Sequence, residues 1–157
     1  MDGARIWLSG ALPETGTISA DQRRAILGFV RKFARTVFER GGHIVHGCHP
    51  SFTPVLLEEA EKYQNNGGHK DRLLLAVSRH WSKDPKKVPT DEWRKVALVY
   101  ETPEVPGEHA RDESLKVLRE WMVSRCDAII VVGGKWWNRV VGRAGIPLEL
   151  GLAIEQG

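Results

Sequence analysis

The side chains best suited to chemistry in this sequence are Glu149 and Arg119. Glu149 lies one or two residues inside the predicted last helix, just after the turn that follows a predicted buried strand, where a carboxylate would face a cleft. Such a carboxylate can transfer protons, or it can simply complement the positive end of the helix dipole. Arg119 is the matching cation, but its helix precedes that strand, so the spacing leaves a cleft position and a surface position both open.

Three histidines spaced by three residues, His43, His46 and His49, raise the question of a metal site. Residues three apart on a strand point to opposite faces, and the glycine and proline in this segment are unfavourable for a helix. The pattern therefore predicts no metal, and it favours His49 as a polar ligand contact. Neither a Ser–His–Asp nor a Cys–His arrangement is present, nothing marks Cys48 as an activated nucleophile, and no cofactor is predicted.

Glycines and hydroxyl side chains follow several predicted strands. Ligands of open parallel sheets bind beyond the carboxyl ends of the strands, so these positions are candidates for a binding site. Glycine lets the backbone N–H groups approach a ligand closely, and the turn at 47–53 leads into a helix whose N-terminus can hold a phosphate. Each position also has a structural alternative, since glycines commonly follow strands and a hydroxyl can cap a helix. The candidate ligand-binding residues are Ser9, Gly10, Gly47, His49, Ser51, Thr53, Ser78, Gly133 and Gly134.

Strand-like and helix-like segments alternate along the chain and must position these residues. The clearest helix follows Ser19, which stands three residues before Gln22 in the spacing of a capping box, and its apolar residues recur with helical periodicity up to the glycines at 41 and 42. This alternation predicts the α/β class, with a Rossmann-like, open, mainly parallel sheet of about five strands and helices on both faces. Strand patterns cover 5–9, 43–46, 72–77, 96–100 and 128–132, the last as a buried strand, and further helix patterns cover 55–64, 115–122 and a segment from about 147.

Composition limits the remaining possibilities. The 157 residues suit one domain with a real core, and no stretch approaches the length of apolar sequence that a membrane span needs. Two cysteines and no signal-peptide pattern predict a reduced, cytoplasmic location. A net charge of +3 without a concentrated basic patch disfavours nucleic acid as a partner. The sequence stops at Gly157, directly after the last predicted helix, which indicates either a sheet without a closing strand or a domain of a longer chain or complex.

Several stretches of the sequence resemble the SLOG superfamily, which gathers the Lonely Guy cytokinin phosphoribohydrolases, the DprA/Smf proteins and sensor domains of bacterial defence systems. Residues 118–122 followed by 127–134 are similar to the R-x-x-M … DA-strand-GG segment of that superfamily, and residues 145–149 resemble its G-T-x-x-E part. The turn at 47–54 resembles the G-G-H-P-x-x-T-P turn of its sensor domains. The resemblance covers most of the chain and is weakest at 81–111.

The resemblance implies two kinds of site. By analogy with the phosphoribohydrolases, Arg119 and Glu149 would bind and cleave the N-glycosidic bond of a nucleoside monophosphate. The sequence departs from their compact phosphate loop, because Val132 replaces a proline, residues 135–144 are inserted, and Ile146 stands in place of a threonine. The sensor domains are implied to bind nucleotide-derived signals, such as cyclic ADP-ribose species, and to switch an effector domain or partner protein.

Together these observations predict one SLOG-like domain over residues 1–157 that binds a nucleotide-derived small molecule without turning it over. Bacterial defence or nucleotide signalling is the expected setting, and a homo-oligomer is the expected assembly. Trp136 or Trp137 is expected to offer a surface for a base, or else to pack internally or at a dimer contact. Two alternatives stay open: a phosphoribohydrolase with Arg119 and Glu149 as catalytic residues, and a scaffolding oligomerisation domain with a vestigial cleft.

Overall fold

The computed structural model describes residues 2–14, 16–86, 88–134 and 145–155. Within them, five strands form one all-parallel sheet in the order β4-β3-β2-β1-β5, which confirms the predicted open, Rossmann-like α/β class. The strands are β1 (Arg5–Ala11), β2 (His43–His46), β3 (Leu73–Ser78), β4 (Leu98–Thr102) and β5 (Ala128–Gly133). The helices are α1 (Ala20–Glu39), α2 (Thr53–Asn65), α3 (Arg79–Ser82), α4 (Thr90–Trp93), α5 (Ala110–Val123) and α6 (Gly145–Glu155), with a short 3₁₀ turn at Lys70–Arg72.

The chain reverses direction across the sheet once. It adds β2, β3 and β4 outward from β1, and then returns to place β5 on the other side of β1. Right-handed crossovers in opposite directions put their helices on opposite faces, so α1 and α2 cover one face and α5 and α6 cover the other. The reversal leaves a crevice at the carboxyl ends of β1 and β5, where open sheets of this kind bind their ligands.

Side chains alternate between the two faces along each strand, and each face has its own core. On the α1–α2 side the core includes Leu8, Phe38, Ile44, Leu56 and Leu75. On the α5–α6 side it includes Trp7, Val45, Ala76, Leu118 and Met122. By this alternation Ser9 shares the α5–α6 face with Trp7, and that position decides its role in the site.

Local signals set α1 as predicted. The Ser19 hydroxyl accepts a hydrogen bond from the Gln22 backbone N–H at 3.1 Å, and the Gln22 side chain accepts one from the Ser19 backbone N–H at 2.8 Å. This reciprocal capping box satisfies two N–H groups that the first turn would leave unpaired. None of the described helices combines the length and the apolar composition needed to cross a bilayer.

Several strand boundaries and one strand environment differ from the sequence prediction. β1 continues through Gly10 to Ala11 instead of ending before the glycine. β4 begins at Leu98 and not two residues earlier, because the Ala97 N–H bonds to the Trp93 carbonyl at 2.9 Å and prolongs the turn after α4. The prediction of β5 as a buried strand is wrong: β5 lies at the edge of the sheet, with Ala128 exposed and the other five residues only partly buried.

A charge cluster joins α1 to α2 on the far side of the sheet from α5. The Glu59 carboxylate, 1% exposed, accepts hydrogen bonds from Arg31 at 2.9 Å, Arg35 at 3.0 Å and Lys62 at 3.1 Å. Burial alone would raise the pKa of Glu59, but the hydrogen bonds from Lys62, Arg35 and Arg31 outweigh it and lower that pKa. The ionised carboxylate therefore stabilises the contact between the two helices.

Replacing Glu59 with glutamine is expected to lower the free energy of unfolding by about 1–2 kcal/mol at pH 7, because the three cations lose the negative charge to which they bond. The loss stays small because the three cations can still reach water. The pKa of Glu59 is lower in the folded state than in the unfolded chain, so its stabilisation is present above the unfolded value and disappears as pH falls through the folded value. The difference in the free energy of unfolding between the two proteins, measured in urea, should therefore shrink as the pH is lowered from 7 to below the unfolded pKa of Glu59. Glu61→Gln, on an exposed position of the same helix, is the control and should change little; a Glu59→Gln protein as stable as wild type at pH 7 would contradict the prediction.

Candidate functional site

A cavity of about 500 Å³ lies at the carboxyl ends of β1 and β2, and Gly134, the residue after β5, also lines it. Its walls come from β1 and the loop that follows it, the turn after β2, helix α5 and the start of α6. One wall is apolar and includes Trp7, Leu118, Met122 and Ile146. The polar and charged side chains of the lining belong to Ser9, Glu14, His46, His49, Arg119 and Glu149. An apolar pocket of this size with a few polar groups is typical of small-molecule sites.

Part of the cavity lining is bare backbone, because side chains are excluded there. Gly10 has a φ of +122°, and a Cβ at this position would overlap the carbonyl oxygen of Val132 on β5. At Gly47 a Cβ would lie 3.2 Å from the Met122 side chain of α5. Both glycines therefore let neighbouring elements approach closely beneath the cavity.

A hydrogen-bonded chain of three side chains connects α5, α6 and β1 at the cavity. Arg119 Nε donates to one carboxylate oxygen of Glu149 at 3.2 Å, and the Ser9 hydroxyl donates to the other. The Arg119 and Glu149 side chains are 16% and 15% exposed, so the ion pair is partly shielded from solvent. Glu149 is the fifth residue of α6, beyond the first turn, which weakens the interpretation that it only complements the helix dipole. Of the two positions that the sequence left open for Arg119, the cleft and the surface, the structure places it in the cleft.

A second polar contact lies between the β1–α1 loop and the turn after β2. The backbone N–H of Leu12 donates to the Ser51 hydroxyl oxygen at 3.1 Å, and that oxygen lies 2.8 Å from His49 Nδ1. The backbone N–H of Ser51 also donates to His49 Nδ1, at 3.3 Å. Partial desolvation of the imidazole lowers the pKa of His49, so the neutral form predominates near pH 7 although the residue as a whole is exposed.

The three evenly spaced histidines have separate environments. His43 Nδ1 lies 3.0 Å from the carbonyl oxygen of Asp71, in the 3₁₀ turn before β3. His46 is buried, its Nδ1 donates to the Leu8 carbonyl at 2.9 Å, and burial lowers its pKa to about 4. The part of the chain that the structure describes holds no group of three metal-binding side chains.

The structure brings together most, but not all, of the residues that the sequence singled out. Seven of them line the cavity: Ser9, Gly10, Gly47, His49, Arg119, Gly134 and Glu149. The other four do not line it and are Ser51, Thr53, Ser78 and Gly133.

Each of those four residues has a contact elsewhere. Ser51 bonds to Leu12 and His49 as described, and Gly133 (φ +62°) packs on the Ala11 carbonyl of β1. Ser78 is buried and accepts a hydrogen bond from the His80 N–H at the start of α3. The Thr53 hydroxyl and the Thr53 backbone N–H both donate to the His49 carbonyl. The same carbonyl also accepts a hydrogen bond from the Phe52 backbone N–H. The first N–H groups of α2, expected to hold a phosphate, are therefore partly bonded within the chain.

Sequence reasoning missed one part of the lining and left the position of another open. The β1–α1 loop contributes Leu12, Pro13 and Glu14, for which no sequence signal was available. Helix α5 contributes Leu115, Leu118, Arg119 and Met122. Their i, i+3, i+4, i+7 spacing indicates that Arg119 lies on the apolar face of the helix. Trp136, Trp137 and the inserted segment 135–144 lie outside the described residues.

The two thiols are poor nucleophiles in the folded protein. Burial raises the pKa of Cys48 far above its usual range, and burial together with Asp127 raises that of Cys126 to about 12. At pH 8 a disulfide-forming thiol reagent is expected to react at least about a hundredfold more slowly with the folded protein than with the chain in guanidinium chloride, because each step of one in pKa changes the thiolate fraction tenfold. Cys48→Ser and Cys126→Ser assign the two rates, and rapid reaction of the Cys126→Ser protein would restore Cys48 as a candidate nucleophile.

Fold and cavity together define an open, parallel α/β protein with a small-molecule-sized pocket at the point where its strand order reverses. No protein-family model matches the chain, and no curated protein is significantly similar to it.

Proposed function

We propose that the cavity binds a nucleotide-derived small molecule and that the protein is a ligand-binding sensor module. The observation that carries this proposal is the placement of the cavity at the strand-order reversal, with a glycine backbone on one side and Ser9, Arg119 and Glu149 on another. A guanidinium suits phosphoryl oxygens, and the apolar wall with Trp7 and Met122 suits a base. An open cavity also argues against a scaffold with a vestigial, self-filled cleft.

The resemblance to the SLOG superfamily gives the proposal its biological setting. It directs attention to nucleotide signalling, including bacterial defence, in which a homo-oligomeric module would switch an effector domain or partner protein. The turn at 47–54 supports this direction because His49 lines the cavity, as expected of a ligand contact.

A specific observation keeps the phosphoribohydrolase as a second candidate. That activity requires Arg119 and Glu149 to meet in the cleft, and they do so at 3.2 Å. The direct contact also counts against the hydrolase, because the guanidinium is bonded to the carboxylate and no phosphate fits between the two groups in this arrangement. The sensor proposal is therefore the first of the two.

Thermal unfolding in the presence of AMP, NAD, ADP-ribose and cyclic ADP-ribose tests both candidates when the same samples are analysed by chromatography. A ligand at a hundredfold its dissociation constant adds about 2.7 kcal/mol to the free energy of unfolding, which raises the melting temperature measurably. A rise with intact ligand supports the sensor, while release of a free base that Glu149→Gln abolishes supports the hydrolase. Arg119→Gln should weaken binding at least about tenfold, whereas Arg111→Gln, at an exposed position of α5, should not. No rise and no turnover with any compound would defeat both candidates.

A further inference from the structure

Contacts around His49 determine which of its ring nitrogens carries the proton. The Ser51 backbone N–H points at Nδ1, and a nitrogen that accepts this hydrogen bond holds no proton in the neutral ring. The Ser51 hydroxyl oxygen already accepts from Leu12 N–H, so its own hydrogen is free to donate to the same Nδ1. Both donors leave the ring proton on Nε2.

That arrangement leaves Nε2–H without a hydrogen bond to the described residues. His49 lines the cavity and is exposed, and the contacts that the described residues make to its ring are at Nδ1. A neutral imidazole with Nε2–H is a hydrogen-bond donor at this position and cannot act there as a base.

We propose that Ser51 is a positioning residue that fixes His49 with Nε2–H directed to the ligand, and that this N–H donates to an oxygen acceptor of the ligand, such as a phosphoryl oxygen. The inference rests on the proposed function, since it requires a ligand in the cavity. It extends that function by naming a donor that recognises the ligand and a residue outside the lining that sets the donor's orientation.

The same hydroxyl gives Ser51 a second role in the site. By accepting from Leu12 N–H it ties the β1–α1 loop to the turn that carries His49, across 39 residues of sequence. Both segments line the cavity, so the position of the donor and the position of the loop depend on one oxygen atom. Threonine can preserve this oxygen and alanine cannot, which provides a matched pair of variants.

The tautomer can be tested in the protein without any ligand. Two-bond ¹H–¹⁵N NMR spectra of the imidazoles at pH 7.5, assigned with His49→Gln, should show His49 protonated at Nε2. Loss of the hydroxyl donor in Ser51→Ala should raise the pH at which His49 titrates, because a donor to Nδ1 stabilises the neutral ring, and Ser51→Thr should titrate like wild type. Protonation of His49 at Nδ1, or an unchanged titration in Ser51→Ala, would overturn the inference whatever the ligand.

The ligand contact is tested by calorimetry with AMP and with adenosine, which lacks the phosphoryl oxygens. His49→Asn, whose amide reaches only the Nδ1 position, should bind AMP about tenfold more weakly, while His49→Gln, which can place an N–H at the Nε2 position, should stay within about threefold of wild type. A matching loss with adenosine would assign the acceptor to the nucleoside instead of the phosphate. If His49→Asn bound AMP as tightly as wild type, the inference would be overturned and the proposed function would stand. If wild type bound neither AMP nor adenosine although His49 was protonated at Nε2, the proposed function would fail, and the ligand contact would fail with it.

Discussion

Replacing Gly10 with alanine is expected to lower the free energy of unfolding by about 3 kcal/mol or more. At a φ of +122° a side chain is strained, and the added Cβ would overlap the Val132 carbonyl oxygen, which is rigid backbone of the neighbouring strand. Relief would require β1 and β5 to separate at the cavity. Urea unfolding at pH 7 measures the loss.

Gly28→Ala is the matched control for that substitution. Gly28 lies on the exposed side of α1, and a Cβ there meets nothing within 4 Å. Alanine in a helix interior is favoured over glycine by up to about 1 kcal/mol, so this variant should be slightly more stable than wild type. If Gly10→Ala were as stable as Gly28→Ala, the close approach of β1 and β5 would be wrong.

Replacing Arg119 with leucine is expected to lower the free energy of unfolding by about 2–3 kcal/mol, the second largest effect. The substitution leaves the Glu149 carboxylate, only 15% exposed, without its cation. The carboxylate then keeps the hydrogen bond from the Ser9 hydroxyl. A charge left unpaired in a partly buried place is more costly than loss of the whole pair. The double variant Arg119→Leu/Glu149→Leu should therefore be more stable than the single Arg119→Leu variant.

A double-mutant cycle in urea measures this interaction directly. With Glu149→Leu as the second single variant, the coupling free energy is expected to be about 2 kcal/mol. The exposed pair of Lys95 with Glu92, at 2.6 Å, supplies a comparison and should give no more than about 0.5 kcal/mol. Equal coupling in the two pairs would mean that shielding by the cavity adds nothing to the Arg119–Glu149 contact.

The parts of the fold that depend on nearby residues could be predicted from the sequence. α1 is the clearest example, since Ser19, Gln22 and the apolar periodicity all lie within the helix or at its end. β5 shows the limit. Its apolar residues 128–132 identify a strand, but whether a strand has one neighbour or two depends on where the chain turns back, and that is decided by the packing of α5.

The candidate site follows the same division. The rule that ligands bind at the carboxyl ends of strands identified Ser9, Gly10 and Gly47. Arg119 stayed open because α5 precedes β5, and only the return of α5 across the sheet brings it to the cavity. Ser51 could not be assigned either, since a hydroxyl in a turn can cap a helix or bind a ligand, and its actual partner on the β1–α1 loop is distant in sequence.

The pairing of β1 with β5 also has a consequence for the order in which the protein is made. Of the five strands described, β1 is made before the others and β5 after them, and at roughly 5–20 residues per second the interval between them is on the order of 10 s. Throughout that interval the β5-facing edge of β1 is unpaired, and unpaired strand edges are where nascent chains associate wrongly. The pocket is lined by β1, by the residue after β5 and by α6, so it cannot be complete before β5 and α6 have been made.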